Sequence, residues 1–345
     1  MKFRWLPVLV MAMFVAAQAQ AAPKEINVLG QPMATGLIQK NKEQAFFENF
    51  AARTGVDVKV NYKPLDVTGF KAEETLRLLK NGLFDIVAVR MAEATRDEPF
   101  FLGMDLAGMN PNYETAKAIY AKYKDAFSKR LHDRFNSRLM GMWVFGPQVL
   151  WSRVELNSLA DIKGKKVRVG ELSMSKFMES LGAIPVVVPF AEIQQALSKG
   201  VVDVAITGAS SGNSAGLPEV SSHFMPLGFL IAYVGYGMNE NTWKKFTPEE
   251  QAKIAKAFEE LIEDIWTYSE ELHEDALRCT TGKTPCETVS QYNLAEVPVT
   301  EADLGLLRQG VVDVSFPAWA AVCDKSYPEC SKIWKELLGD IVGIK

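Results

Sequence analysis

Residues 158–207, SLADIKGKKVRVGELSMSKFMESLGAIPVVVPFAEIQQALSKGVVDVAIT, decide how the rest of the chain is read. Within them, 166–169 (KVRV) reads as a strand, 173–180 as a helix stopped at Gly182, and 185–188 as a second strand. Residues 191–198 form a second helix, stopped at Gly200, and 202–206 a third strand. Each helix ends at a glycine, which takes the left-handed backbone of a helix C-terminus at least cost. Short apolar strands alternating with helices predict parallel pairing through crossover helices, hence an α/β unit.

The N-terminal side repeats the pattern. Residues 25–29 (EINVL) read as a strand, followed by a loop at Gly30-Gln31-Pro32 and a helix carrying Phe46, Phe47, Phe50 and Ala51 near helical spacing. Residues 56–62 (VDVKVNY) alternate as a second strand, 73–80 form a helix ended by Asn81-Gly82, and 84–89 (FDIVAV) a third strand. A charged amphipathic helix over 113–133 and strand-like runs at 139–144 and 149–152 complete this half. Thr247-Pro248-Glu249-Glu250 is a capping box that opens the longest helix, carried by Ile254, Phe258, Leu261, Ile262, Ile265, Trp266 and Leu272 to about residue 277. Some 30 residues make it ~45 Å long, enough to brace two units.

The expected fold is therefore α/β, a two-lobed binding-protein architecture with a long helix spanning both lobes. Residues 22–147 with about 228–265 are assigned to lobe I, and 148–227 with about 266–345 to lobe II, with a cleft between them.

Residues 1–21 are set apart as a signal peptide: Lys2 and Arg4 are the charged region, 5–17 the apolar one, and Ala19-Gln20-Ala21 the small-residue cleavage site. The apolar run is too short for a ~30 Å hydrocarbon core. Export to the periplasm, with cleavage after Ala21, is expected. The formal charge of −4 then becomes −6, since two cations and no acids are removed. With no bulk basic field, a nucleic-acid partner is excluded, and 48% hydrophobic residues exclude global disorder. The four cysteines, Cys279, Cys286, Cys323 and Cys330, allow three connectivities. Two matched gaps of six residues favour Cys279–Cys286 and Cys323–Cys330 in an oxidising compartment. Zinc is the rival, but its sites use closer cysteine pairs, and no histidine is near.

His132, His223 and His273 read as surface or structural residues, and no motif for a metal, nucleotide or dinucleotide occurs, so no cofactor is expected. One catalytic pattern does occur. Gly208-Ala209-Ser210-Ser211-Gly212 matches GxSxG after a strand, but the continuation through Pro218 is poor helix material, and a nucleophile elbow needs a helix there. A secreted serine hydrolase using Ser210 is the alternative to a binding protein.

The opening segment also resembles the substrate-binding proteins of tripartite ATP-independent periplasmic (TRAP) transporters, the DctP family. Asp161, Lys163-Gly164, Arg168-Val169, Leu181-Gly182-Ala183, Pro185, Pro189-Phe190, Glu192, Ala196-Leu197 and Gly200 through Asp203 stand where that family has xDxKGxKxRV and LGAxPxxxPFxEVxxALxxGVVD. The resemblance implies a soluble monomer that captures a carboxylate and delivers it to TRAP permease subunits, without catalysis. A ligand-presenting sensor subunit would use the same site. The resemblance implies that Arg168 grips the carboxylate with parallel N–H donors, a match for both carboxylate oxygens. It implies too that Phe190 covers the ligand. Gln148 replaces a second arginine found in sialic-acid-type members, which argues for one carboxylate rather than two, and Thr207 replaces an asparagine, its hydroxyl arguing for a shorter polar contact. Gln31, Trp151, Tyr233 and Tyr236 are further candidate lining residues. An aromatic lining would favour a compact 2-oxo or 2-hydroxy acid such as benzoylformate or mandelate over a sugar acid.

Overall fold

A computed structural model describes residues 24–170 and 172–344; the expected signal peptide lies outside the described residues. Eleven strands are described in chain order: β1 Lys24–Gly30, β2 Val58–Pro64, β3 Ile86–Arg90, β4 Ser137–Val144, β5 Gln148–Ser152, β6 Lys166–Val169, β7 Ile184–Val187, β8 Val204–Gly208, β9 His223–Met225, β10 Tyr233–Asn239 and β11 Ala295–Glu296. They form two sheets, ordered β2-β1-β3-β10-β4 and β11-β9-β5-β8-β6-β7. In each sheet the strands of an expected α/β unit pair in parallel: β1 with β2 and β3, and β6 with β7 and β8. Both sheets are mixed, because β10 runs antiparallel to β3 and β4, and β5 antiparallel to β8 and β9.

Strand alternation builds the second sheet's two faces. Leu150, Val204 and Ile206 join a core with Val167, Val169 and Phe177, while Val149, Trp151 and Ala205 join one with Leu197 and Phe224 on the other side. Apolar residues on both faces mark a sheet covered by helices on each side. Gly182 and Gly200 both have left-handed φ, +77° and +70°, as the helix ends require.

The long helix spans Pro248–Thr280, 33 residues, with Thr247 Oγ1 accepting the Glu250 N–H and Glu250 accepting the Thr247 N–H. Its first two-thirds bury Ile254, Phe258, Leu261 and Ile265 against the first sheet, and its last turns bury Ala276 against the second. It therefore ties the two together.

Two expectations need correction. Residues after 266 were assigned to lobe II, yet Phe316, Trp319, Trp334 and Leu338, on helices Phe316–Ser326 and Cys330–Val342, bury in the core of the first sheet. Their indoles are anchored there: Trp319 Nε1 donates to the Pro99 carbonyl at 2.8 Å and Trp334 Nε1 to Gly103 at 2.7 Å. Secondly, Ala209–Ser214 is helical despite its composition. Gly212 permits it, since a Cβ there would lie 2.6 Å from the Trp151 ring, and Asn213 Nδ2 donates to the Ser290 carbonyl at 2.8 Å. The disulfides are Cys279–Cys286 and Cys323–Cys330.

Candidate functional site

The chain passes between the sheets at 145–147 and again at 226–232, and these two passages pair with each other. Phe145 N–H donates to the Ala232 carbonyl (3.0 Å), Gln148 N–H to Leu230 (2.8 Å), and Phe229 N–H to Gln148 (2.9 Å). Beside this ribbon lies a cleft lined from the first sheet by Gln31, Thr35, Arg90 and Glu93, and from the second by Arg168, Phe190, Thr207 and Ser211. Phe145 and Gln148 line it from the ribbon itself. Gln31 follows β1, Arg90 ends β3, and Thr207 lies near the end of β8. The cleft thus lies off the carboxyl ends of parallel strands, where open α/β sheets bind ligands.

Arg168 is 5% exposed. Its Nε donates to the Val188 carbonyl at 2.9 Å and its Nη1 to Ile206 at 3.0 Å, which fixes the plane of the guanidinium. An arginine has five donors, and these two bonds use two of them. Among the described residues no carboxylate forms an ion pair with Arg168. Burial lowers its pKa to about 10, with the positive charge of Arg90 adding to the effect. A desolvated cation with no acidic partner among the described residues is the arrangement an anionic ligand relieves.

Gln31 is held tightly: its Nε2 donates to the Ala88 carbonyl (2.7 Å) and its backbone N–H to Glu43 Oε1 (3.0 Å). Glu43 is fully buried beside Tyr62 and Tyr236, and burial raises its pKa to about 8, which keeps it largely protonated at neutral pH. Ser211 Oγ donates to the Thr35 carbonyl at 2.8 Å, a bond across the cleft from one sheet's side to the other.

Five of the eight candidate residues meet here: Gln31, Gln148, Arg168, Phe190 and Thr207. Three do not. Trp151 is fully buried, its ring 4.7 Å from that of Phe224. Tyr233 is buried with its hydroxyl donating to the Ala116 carbonyl (2.7 Å), and Tyr236 is buried against Phe47 and Phe258. Sequence reasoning missed Arg90, Glu93, Thr35 and Ser211. The readable signal for Arg90 was its place at the carboxyl end of the FDIVAV strand.

The hydrolase alternative finds little geometry. A short helix does follow β8, but among the described residues Asn136 is the one non-glycine with left-handed φ, so position 210 carries no strained elbow. His273 is buried on the long helix with its Nδ1 unpartnered, His132 pairs with Asp133, and His223 with Ser222. Among the described residues no cluster of metal-ligating side chains occurs, and no helix is long and apolar enough to cross a membrane.

Two mixed sheets joined by a paired ribbon and a shared helix, with a buried arginine in the cleft between them, define the class of two-lobed solute-binding proteins. Residues 30–297 match the model of the DctP family, described as bacterial extracellular solute-binding protein, family 7, and the chain belongs to that family. The C4-dicarboxylate-binding periplasmic protein DctP of Rhodobacter capsulatus is 26% identical over 250 residues, 69% of this chain and 72% of that protein. DctP7, a Bordetella pertussis extracytoplasmic solute receptor binding pyroglutamic acid, shares the fold with a TM-score of 0.75 at 16% identity, over 90% of this chain and 99% of that one. A TRAP periplasmic solute binding protein from Desulfovibrio salexigens with bound orotic acid gives 0.76 at 19% identity, over 92% and 99%.

Proposed function

We propose that this protein is the extracytoplasmic receptor of a TRAP transporter, capturing a small organic acid through one carboxylate and delivering it to the membrane permease subunits. The observation that carries this reading is Arg168, buried in the cleft with its plane fixed and with no acidic partner among the described residues. Relatives named for their ligands bind C4-dicarboxylate, pyroglutamic acid and orotic acid, all carboxylic acids. The two sheets act as two lobes hinged at the ribbon 145–148 and 229–232, and a ligand touching both stabilises the closed state. Thr207 and Gln148 flank the carboxylate and set its polar surroundings.

Among the described residues the aromatic side chains lining the cleft are Phe145 and Phe190, so the case for benzoylformate or mandelate is reduced to these two rings. A compact acid remains the better fit. On this reading the receptor is exported, cleaved after Ala21 and works in the periplasm. The test is a thermal-shift screen of the mature protein against aliphatic and aromatic carboxylates, because a ligand that binds the folded state raises the melting temperature. A rise with one or more carboxylates is expected; no response to any carboxylate, with a response to neutral solutes, would overturn the reading.

A further inference from the structure

Gln31 lines the cleft just past the end of β1, and what holds it there lies one layer deeper. The π-helical segment Gln39–Gln44 carries Glu43, whose Oε1 accepts the Gln31 backbone N–H at 3.0 Å. Gly30 makes that approach possible, because a Cβ there would collide with Glu43 Oε1 and with the Tyr62 hydroxyl. Gln31 Nε2 is tied in turn to the Ala88 carbonyl of β3 at 2.7 Å, so backbone and side chain of this lining residue are both anchored.

The surroundings of Glu43 set its charge. β2 presents Tyr62 and β10 presents Tyr236, and burial raises the pKa of both hydroxyls. Asp66 and Glu48 add acidic charge on the Tyr62 side. Among the described residues no lysine or arginine forms an ion pair with Glu43, and Lys42 on the same segment pairs with Asp264 of the long helix instead, at 2.8 Å. A desolvated carboxyl with no cationic partner keeps its proton, and burial brings the pKa of Glu43 to about 8. Neutral, Glu43 adds nothing to a cleft whose described charged lining sums to +1. Ionised, it would place a negative charge one hydrogen bond behind Gln31, opposing an anion held on Arg168.

We propose that Glu43 is a positioning residue for ligand capture: as a neutral acid it seats Gln31 at the cleft wall, and its ionisation sets a negative charge behind that wall and weakens the binding of an anion. This rests on the carboxylate role of Arg168 proposed above. An anion in the cleft makes the Glu43 proton harder to remove. By linkage, affinity is complete while the free protein holds that proton and falls as pH rises through about 8, where binding takes up protons.

Calorimetry from pH 6 to pH 9 tests this, with pyroglutamate as probe or, if it is silent in the thermal-shift screen, the monocarboxylate that gives the largest shift there. The parent's affinity should fall ~3–10-fold across that range, with about half a proton taken up per ligand at pH 8.5, read from two buffers of different ionisation enthalpy. Glu43→Gln, which keeps an acceptor for the Gln31 N–H, should match the parent within about twofold at pH 6 and hold that affinity to pH 9. Glu43→Leu, which has no acceptor, should bind at least ~3-fold more weakly at pH 6. A flat parent profile, or a Glu43→Gln protein that keeps the parent's decline, would overturn the role of the Glu43 charge. Equal binding by the Gln and Leu variants at pH 6 would overturn the seating of Gln31. Should a variant fail to melt cooperatively, the parent's proton uptake carries the test, and no uptake would overturn the proposal. In each case loss of binding in Arg168→Ala leaves the carboxylate role standing. If no carboxylate in the screen binds, the Arg168 reading falls and the role of Glu43 with it.

Discussion

The place of Arg168 in the cleft was legible because an arginine embedded in KVRVGELS, with the LGAIPVVVPF run after it, resembles a family pattern; planar bidentate chemistry gives the proposed carboxylate role its reason. Trp151, Tyr233 and Tyr236 were misread because closeness in sequence to Gln148 and the ribbon does not say which way a side chain points. The cleft lies off the strand ends, whereas these three rings lie along strands and pack into the cores on either side. Glu43 was invisible for a similar reason. Nothing in a charged helical stretch signals that one carboxyl will be buried under Gln31. Its pKa of about 8, against an ordinary 4.5, gives a signed prediction. The folded state holds a proton that the unfolded state has released between those values, so the stability Glu43 contributes is complete below pH 4.5 and lost as pH rises through about 8. Glu43→Gln, neutral at every pH, should remove that part of the decline. Urea unfolding of both proteins from pH 5 to pH 9 checks it, and identical slopes with pH would refute the assignment.

At the scale of elements, those with strong local rules were read within a residue or three. The long helix announced itself through Thr247 and Glu250 and an apolar stripe, and the crossover helices through Gly182 and Gly200. The helix Ala209–Ser214 could not be read, because its formation is decided by tertiary packing: Gly212 lies against the indole of Trp151, which itself comes from β5. Local propensity is a weak prior where packing dominates. Gly212→Ala should therefore cost ~1–3 kcal/mol, since a Cβ at 2.6 Å from the indole must displace a fully buried ring. The same change should loosen the Ser211–Thr35 bond across the cleft. Thermal denaturation showing the variant as stable as the parent would contradict this packing.

For the molecule as a whole, the two α/β units were visible in the rhythm of strands and glycines, but the destination of the C-terminal helices was not. Amphipathic helices at a chain end carry no mark of which sheet they will cover, and Trp319 and Trp334 chose the first. Net charge was equally uninformative about the site. A chain at −4, or −6 after cleavage, presents a cleft whose described charged lining sums to +1. On the proposed reading, capture of an anion is a local property of the buried Arg168 rather than of the global field.

The central claim is that Arg168 holds the ligand's carboxylate. The most direct measurement is calorimetry of the parent and Arg168→Ala proteins with the carboxylate that gives the largest thermal shift, each first shown to melt cooperatively. Leaving a desolvated carboxylate unpaired should cost ~2–5 kcal/mol, at least ~30-fold in affinity. Equal affinity of the two proteins would contradict the account.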